Sequence, residues 1–348
     1  MIRSLLLLLS LVLVGIAFAF TTNPPYPLQI PNSFGHRYTI PVDNPLTVEG
    51  VALGRYLFYD SLLSKNNTIS CSSCHQQSLA FTDGFTLSIG VSGRPTFRNS
   101  MSLANLLWVR DFFWDGHSKT LEGQALIPMD HPDEMGLAPE KSAQKLQQTK
   151  FYPERFQKAF GTDQITPELM AKALAQFERT LISANSSYDQ YLQGKHHLTP
   201  AEKRGMELFM RGTSRDQNIR GANCTHCHGG AQFFQNRFHN NGLDASPLDP
   251  GRQEVTGFED DFARFRVPTL RNIALTAPYM HDGRFKTLEE VVDHYSDHIA
   301  QSRTLSADLQ GMISLTSSEK KDLIAFLHTL TDQEFIRNPA FSNPFLRP

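Results

Sequence analysis

Apolar residues recur at helical spacing in several segments of the chain, and few segments show the alternation that is typical of a β-strand. The segment VALGRYLFYDSLLS begins at Val51, and TPELMAKALAQFERTLIS spans 166–183 with a Thr-Pro start. A second Thr-Pro pair at Thr199 precedes AEKRGMELFM, and Thr287 and Glu290 have the spacing of a capping box. The pattern predicts a mainly helical fold.

Two of these predicted helices carry the same segment, Gly-x-x-Leu-Phe, at 54–58 and at 205–209. In both places a short loop and a Cys-x-x-Cys-His sequence follow, at 71–75 and at 224–228. The repeated order predicts two helical units of similar architecture. A chain of 348 residues has the length expected of about two domains.

The polar stretch SANSSYDQYLQGKHH, at 183–197, is the strongest candidate for a domain boundary. We predict an N-terminal domain over 20–190 and a C-terminal domain with a tail over 191–348. Hydrophobic residues make up 40% of the chain, which is enough for a core in each domain. The net charge of −2 at pH 7 provides no basic surface for a polyanion, so we expect no nucleic-acid partner.

The first 19 residues have the three parts of a secretory signal peptide. Arg3 supplies the positive charge, an apolar run extends from Leu5 to Ile16, and Ala17-Phe18-Ala19 has the small residues of a cleavage site. The apolar run is shorter than the ~20 residues that a membrane-spanning helix needs. We therefore predict cleavage after residue 19, export to the periplasm, and no membrane span in the mature chain.

All four cysteines of the chain belong to the sequences CSSCH, at 71–75, and CTHCH, at 224–228. A Cys-x-x-Cys pair on its own suits half of a zinc site, a redox disulfide or a haem attachment site. Zinc gives no reason for a histidine directly after each pair, and a thioredoxin-like motif expects a βαβ setting. Covalent haem accounts for both features, because two thiols add to the two vinyl groups and the next histidine ligates the iron.

We therefore predict two covalently bound c-type haems, one in each domain. Export agrees with this prediction, because haem of this type is attached outside the cytoplasm. The residues that hold the haems are Cys71, Cys74 and His75 for the first haem, and Cys224, Cys227 and His228 for the second.

The chain resembles the bacterial di-haem cytochrome c peroxidase family, which includes the MauG enzymes, over nearly all of its mature length. The segments that carry the resemblance are LFYDSLLSKNNTISCSSCH, RNSMSLANLLWVRDFFWDGHSKTLEGQAL, PMDHPDEMG, GANCTHCH and FRVPTLRNIALTAPYMHDGRFKTLEEVVDHY. The resemblance implies a fold of two cytochrome c-like helical domains, each with one haem. It also implies calcium between the domains and, by analogy, association into homodimers.

The resemblance assigns three catalytic roles. Trp114, in FWDG, matches the tryptophan that helps electrons to cross between the haems, and Gln124 and Glu134 match the distal glutamine and glutamate. Cleavage of peroxide needs a group that takes the proton from the near oxygen and returns it to the departing oxygen. Glu134 is the residue expected to do this. His131 is the alternative distal group, and core packing is the alternative role of Trp114.

The resemblance also implies the ligands of the calcium ion. Asn99 matches the side-chain ligand, and Thr276 and Pro278, in LTAPY, match two backbone carbonyl ligands. Oxygen donors of this kind suit a hard cation.

Two positions depart from the pattern of many family members. Val91 replaces the histidine that caps the N-terminal haem, and valine cannot ligate iron. The first haem is therefore expected to be five-coordinate and open to peroxide without prior reduction. Tyr295 replaces the methionine on the distal side of the second haem, as in MauG. A phenolate oxygen is a hard anionic ligand, so we expect a low potential for the second haem.

Tyr295 is expected to face the protein interior. The residue lies on one face of a predicted helix with Leu288, Val291 and His298, at spacings of three and four. The alternative role of Tyr295 is that of a core aromatic residue, in which case His294, His298, Met280 or no side chain ligates the second haem.

Together these features predict an exported di-haem peroxidase that reduces hydrogen peroxide with electrons from a small cytochrome c or a cupredoxin. A MauG-type enzyme that oxidises the side chains of a partner protein is the first alternative. A di-haem electron-transfer cytochrome without turnover and a peroxide sensor are two further alternatives.

Overall fold

The computed structural model describes residues 23–214, 217, 219–311 and 314–346. The described part is mainly helical, as predicted, and it contains an antiparallel ribbon of β1 (Phe238–His239) and β2 (Phe265–Arg266). The predicted signal peptide lies outside the described residues. Within the described ranges, no helix has both the length and the apolar character needed to cross a membrane.

The first half of the chain contains an extended arm, over 23–47, and a group of helices. The α-helices before residue 187 are α1 (Val48–Tyr59), α2 (Cys71–Cys74), α3 (Leu121–Asp130), α4 (Pro139–Gln147), α5 (Phe151–Phe160) and α6 (Pro167–Arg179). Thr47, Thr120 and Thr166 each accept a backbone N–H of the following first turn, which defines where α1, α3 and α6 begin.

The second half repeats the helical character of the first. The α-helices described from residue 187 onward are α7 (Ser187–Leu192), α8 (Pro200–Met210), α9 (Thr225–His228), α10 (Gln253–Thr256), α11 (Leu288–Asp297) and α12 (Ser317–His328). Capping boxes begin α8, α11 and α12, and the box of α11 is the predicted Thr287–Glu290 pair.

The Gly-x-x-Leu-Phe segments mark the main helix crossing in each half. A Cβ added to Gly54 of α1 would lie 1.9 Å from the carbonyl oxygen of Ala173 in α6. A Cβ added to Gly205 of α8 would lie at the same distance from the carbonyl oxygen of Asp322 in α12. Glycine therefore lets the two helix backbones of each pair come into contact, and the same helix packing occurs in both halves.

The phenylalanine four residues after each glycine completes the crossing. The Phe58 ring lies 5.3 Å from the Phe177 ring, and the Phe209 ring lies 5.2 Å from the Phe326 ring. All four side chains are buried. The repeat that the sequence shows is thus a repeat of helix pairs, α1 with α6 and α8 with α12.

Each half has its own hydrophobic core, and a third cluster joins the halves. The joining cluster contains Phe34 of the arm, Trp108 of the first half and Phe234 of the second. The C-terminal tail returns to the first core through Phe335 and Phe341. The predicted division at residue 190 stays a prediction.

We expect Gly205→Ala to lower the free energy of unfolding by about 1–3 kcal/mol, because the added methyl group would overlap the backbone of α12. Chemical denaturation of the purified protein measures this change. Gly212→Ala is the matched control, since its Cβ would lie 3.7 Å from the nearest neighbouring atom, the side-chain oxygen of Asn223. Equal stability of the two variants would contradict the backbone contact.

Candidate haem sites

The first Cys-x-x-Cys-His sequence forms the short helix α2 and ends in a histidine with a fixed ring. A capping box of Ser70 and Ser73 begins the helix. The Nδ1 of His75 lies 2.8 Å from the carbonyl oxygen of Phe81, so Nδ1–H donates and Nε2 keeps its lone pair. Burial lowers the pKa of His75, which favours the neutral ring that binds a metal. The histidine is therefore oriented as an iron ligand requires.

The second Cys-x-x-Cys-His sequence has the same arrangement in α9. The Nδ1 of His228 lies 3.3 Å from the carbonyl oxygen of Phe233, which corresponds to Phe81 of the first half. Both phenylalanines have positive φ, 63° for Phe81 and 54° for Phe233, which is uncommon for a non-glycine residue. Burial lowers the pKa of His228 to about 4, so this ring is also neutral.

No disulfide joins the four cysteines, and Cys71 packs against the first core whereas Cys224 packs against the second. Burial raises the pKa of Cys74 and Cys227 to about 11 and that of Cys224 to about 12, and it raises the pKa of Cys71 as well. Because the pairs lie in different halves, the structure does not bring four thiols together as a zinc site requires.

A cavity of about 220 Å³ lies next to the second Cys-x-x-Cys-His sequence. Cys224, Cys227 and His228 line one part of its wall, and Tyr295 and Met280 line another. The remaining lining is mostly apolar. The lining therefore fits a haem, with two thiols for its vinyl groups and ligand side chains for its iron.

Asn241 connects the two distal candidates of this cavity. Its Nδ2 lies 3.2 Å from the hydroxyl oxygen of Tyr295 and 3.3 Å from the sulfur of Met280. Burial raises the pKa of Tyr295 to about 12, so the phenol is neutral unless a cation offsets that cost. Asn241 lies far from Tyr295 in the sequence, and no sequence pattern indicated the contact.

The helix α11 presents only part of its predicted face to the cavity. Leu288, Val291 and Tyr295 line the cavity, as their spacing predicts, but His298 lies at the C-terminal cap and is exposed. His294 is buried on a different side, and its Nε2 lies 3.0 Å from the carbonyl oxygen of Asn241. The geometry therefore favours Tyr295 over both histidines as the distal side chain.

The predicted distal group of the first haem, Glu134, lies close to the first pair of thiols. Its charge contributes to the raised pKa of Cys71 and of Cys74. Burial raises the pKa of Glu134 itself, and the neighbouring imidazoles of His131 and His117 oppose that rise. A buried carboxyl group with a raised pKa is suited to general acid–base chemistry.

Of the two other distal candidates, His131 lies beside Glu134. Gln124 is half-buried on α3, and backbone hydrogen bonds fold the loop 131–137 back onto the end of that helix. The Nδ1 of His131 lies 3.9 Å from the nearer carboxylate oxygen of Glu134, and the His131 side chain is 44% exposed. His131 is therefore a weaker candidate than Glu134, whose side chain is 32% exposed.

Val91 lies against the segment that carries Glu134. The backbone N–H of Val91 donates to the carbonyl oxygen of Glu134 at 2.8 Å. A Cβ added to the preceding residue, Gly90, would lie 2.1 Å from the carbonyl oxygen of Asp133, so the two segments touch backbone to backbone. The position at which many family members carry the capping histidine is thus next to the distal glutamate.

Trp114 connects the two halves of the molecule. Its indole N–H donates to the carbonyl oxygen of Asn99 at 2.9 Å, and its own carbonyl oxygen accepts the backbone N–H of Arg266 at 2.6 Å. Ser100, which follows Asn99 in the chain, donates its hydroxyl to the carbonyl oxygen of Cys74 at 2.8 Å. Trp114 also lines the cavity of the second site. It therefore lies between the first haem-binding sequence and the second cavity.

The three predicted calcium ligands line the second cavity. Asn99, Thr276 and Pro278 all belong to its lining. The backbone carbonyl oxygen of Asn99 accepts the indole N–H of Trp114. The Nδ2 of Asn99 donates to the carbonyl oxygens of Phe85 and Thr86, at 2.9 and 3.1 Å. These bonds orient the amide, and its Oδ1 remains available to a cation.

Glu178 is a buried acid that no sequence pattern indicated. Glu178 of α6 is 5% exposed, and its Oε2 has no hydrogen-bond partner in the described part of the chain. Burial raises its pKa to about 8, and its charge raises the pKa of Cys71. An alternating run of apolar and polar residues in α6 gives no indication of which polar residue faces inward.

Comparisons with known proteins identify the family. The family model described as di-haem cytochrome c peroxidase matches residues 48–197. The methylamine utilization protein MauG of Methylophilus methylotrophus is 32% identical over 330 residues, which cover 94% of this chain and 95% of that protein. The cytochrome c551 peroxidase of Nitrosomonas europaea is 35% identical over 320 residues, which cover 87% of this chain and 85% of that protein.

A solved structure supports the same assignment. The crystal structure of a MauG-like protein associated with microbial copper homeostasis is 40% identical in sequence and has a TM-score of 0.83. The match covers 92% of this chain and all of that one. Membership of this family implies two haems, peroxide as substrate and a redox partner. The chain belongs to the di-haem cytochrome c peroxidase family, which includes MauG, and it is an oxidoreductase that acts on peroxide.

Proposed function

We propose that this protein is a periplasmic di-haem c-type peroxidase that reduces hydrogen peroxide to water with electrons from a redox partner. Its axial ligands are those of MauG, with Tyr295 on the second haem. The observation that carries the proposal is the position of Glu134. Its backbone carbonyl oxygen accepts the N–H of Val91, whose side chain cannot ligate iron. Burial raises the pKa of the Glu134 carboxyl group, and its charge raises the pKa of Cys71 and Cys74.

The haems supply the iron that binds peroxide and takes up its oxidising equivalents. Cys71 and Cys74 attach the first haem and Cys224 and Cys227 the second, each with its histidine as proximal ligand. With haem bound, Glu134 would take a proton from one oxygen of the peroxide and return it to the other oxygen, which would leave as water. Gln124 of α3 would orient the peroxide by hydrogen bonding.

Trp114 is the proposed route for electrons between the two halves. Its indole is fixed by Asn99, and its backbone is fixed by Arg266 of the second half. The N-terminal domain, 20–190, is then the peroxide-reducing domain, and the C-terminal domain, 191–348, is the electron-transfer domain. A small cytochrome c or a cupredoxin donates the electrons.

We expect the resting ferric protein to consume peroxide without prior reduction, because Val91 leaves the first iron open. Val91→His should slow this reaction by at least about tenfold, and partial reduction should restore part of the rate. Stopped-flow measurement of peroxide consumption by resting and half-reduced protein tests this, with Val91→Leu as the matched control. A strict requirement of the unaltered protein for half-reduction would contradict the proposal.

A MauG-type activity, in which a partner protein supplies electrons from its own side chains, is the second candidate. The hydroxyl group of Tyr295, which Asn241 holds in the second cavity, favours this candidate over a cytochrome-fed peroxidase. The similarity to MauG and to a MauG-like protein points the same way. Steady-state turnover with a small cytochrome or cupredoxin as sole donor distinguishes the two, because a MauG-type enzyme should turn over poorly with either.

We also propose a calcium ion held by the Asn99 side chain and the carbonyl oxygens of Thr276 and Pro278. Since Asn99 also fixes Trp114, removal of the ion should disturb the residue between the haems. We expect metal analysis to find one calcium per chain, and Asn99→Ala to lose it with altered spectra of the second haem. Stoichiometric calcium in Asn99→Ala would remove this residue from the site.

Export, cleavage after residue 19 and homodimer formation complete the proposal. The signal peptide has the composition that secretion requires, and covalent haem attachment agrees with export. N-terminal sequencing of the periplasmic protein and its mass in solution test cleavage and dimer formation directly.

A further inference from the structure

Arg266 of β2 is a buried cation without a carboxylate partner. Its side chain is almost fully buried, and within the described ranges no aspartate or glutamate oxygen lies within 4.0 Å of its guanidinium. Three other arginines with largely buried side chains differ in this respect. They are Arg98 with Asp115, Arg179 with Glu122, and Arg271 with Asp189.

The hydrogen bonds of Arg266 do not neutralise its charge. Its Nε lies 3.3 Å from the carbonyl oxygen of Phe113, and one terminal nitrogen lies 3.2 Å from the sulfur of Met101, which is a weak acceptor. Burial lowers the pKa of Arg266 to about 10, so the guanidinium is still charged at neutral pH. An unpaired buried charge costs several kcal/mol, which a counter-ion would offset.

The position of Arg266 indicates which anion supplies this charge. Its side chain lines the cavity that His228 and Tyr295 also line. A haem is the group that this cavity fits, and a haem carries two propionate carboxylates on its edge. We propose that Arg266 binds a haem propionate, and that the second haem provides it. The proposal rests on the proposed haem occupancy of this cavity.

The same residue holds the segment between the two haems. The backbone N–H of Arg266 donates to the carbonyl oxygen of Trp114, and its Nε faces the carbonyl oxygen of Phe113. A propionate bound to Arg266 therefore fixes the second haem relative to Trp114. Arg266 is a positioning residue for the route between the haems. Its contact with Met101 brings it near the first haem as well, so a propionate of that haem is the other source.

The test replaces the charge and measures the potential of each haem without peroxide. In Arg266→Gln the propionate loses its cationic partner. This loss favours the ferric state, so the midpoint potential of the second haem should fall. Arg266→Lys should restore part of the loss. Arg264→Gln, which removes a half-exposed cation two residues away, is the matched control and should leave both potentials nearly unchanged.

Spectroelectrochemical titration of the resting holoprotein separates the possible results. A fall confined to the second haem supports the proposal, and a fall confined to the first haem assigns the propionate to that haem. Unchanged potentials of both haems in Arg266→Gln would overturn it. Resonance Raman bands of the propionates in the unaltered protein give an independent check if Arg266→Gln does not fold, and bands of a propionate free of strong hydrogen bonds would also overturn it. None of these measurements depends on peroxide turnover.

Discussion

Glu134→Gln should slow peroxide cleavage by about 10²–10⁴-fold while both haems stay attached. The amide has nearly the shape of the carboxyl group but cannot accept and return a proton. We propose that Glu134 serves the first haem site, where peroxide is expected to bind, and its charge also raises the pKa of Cys71 and Cys74. Stopped-flow spectroscopy of the resting protein with peroxide measures the change.

The pH dependence gives a second test of the same residue. The carboxylate form accepts the proton, so the rate should fall as the pH drops through the pKa of Glu134. Because burial raises this pKa, the fall should begin at a higher pH than for an exposed glutamate, although the charges of His131 and His117 oppose the rise. Glu134→Gln should lose this acidic limb, while the exposed control Glu140→Gln should keep it. If Glu134→Gln kept the rate and pH profile of the unaltered protein, the acid–base role of Glu134 would be refuted.

Tyr295→Met should raise the midpoint potential of the second haem by on the order of 0.1 V or more, since axial ligands set haem potentials over about 0.8 V. A phenolate stabilises ferric iron, whereas a thioether favours the ferrous state. The hydroxyl of Tyr295 lies in the second cavity and within 3.2 Å of the Nδ2 of Asn241. A redox titration of the two haems measures the shift.

Two further variants separate ligation from packing. Tyr279→Phe is the matched control, because Tyr279 lines the same cavity but donates its hydroxyl to the carbonyl oxygen of Ile273. Its potentials should stay near those of the unaltered protein. Tyr295→Phe removes the phenol and leaves Met280, which shares Asn241, as the alternative ligand. An unchanged second potential in both Tyr295 variants would exclude tyrosine as the ligand.

The parts of the molecule that follow local rules could be predicted from the sequence. The Cys-x-x-Cys-His sequences indicate haem because covalent attachment needs two thiols and a histidine at fixed spacing. The Gly-x-x-Leu-Phe repeat indicates two similar units, and the structure shows why, since Gly54 and Gly205 each touch the backbone of a partner helix. The inward position of Tyr295 follows from a helical period that the Thr287 capping box places in register.

The parts that depend on long-range contacts could not be predicted. Asn241 and Tyr295 are separated by 54 residues, and no local pattern indicates that they share a hydrogen bond. Arg266 belongs to a two-residue strand in which neither periodicity nor composition shows that its charge is buried. His298 shows the limit of periodicity itself, because α11 ends one residue earlier and leaves it exposed.

Low-temperature EPR of the resting ferric protein tests the central claim most directly, since one spectrum reports the coordination of both irons. The account predicts one high-spin ferric signal, from the iron beside Val91 and Glu134, together with one low-spin signal from the iron held by His228 and Tyr295. Two low-spin signals that do not respond to added ligands would contradict it, because neither iron would then be open to peroxide.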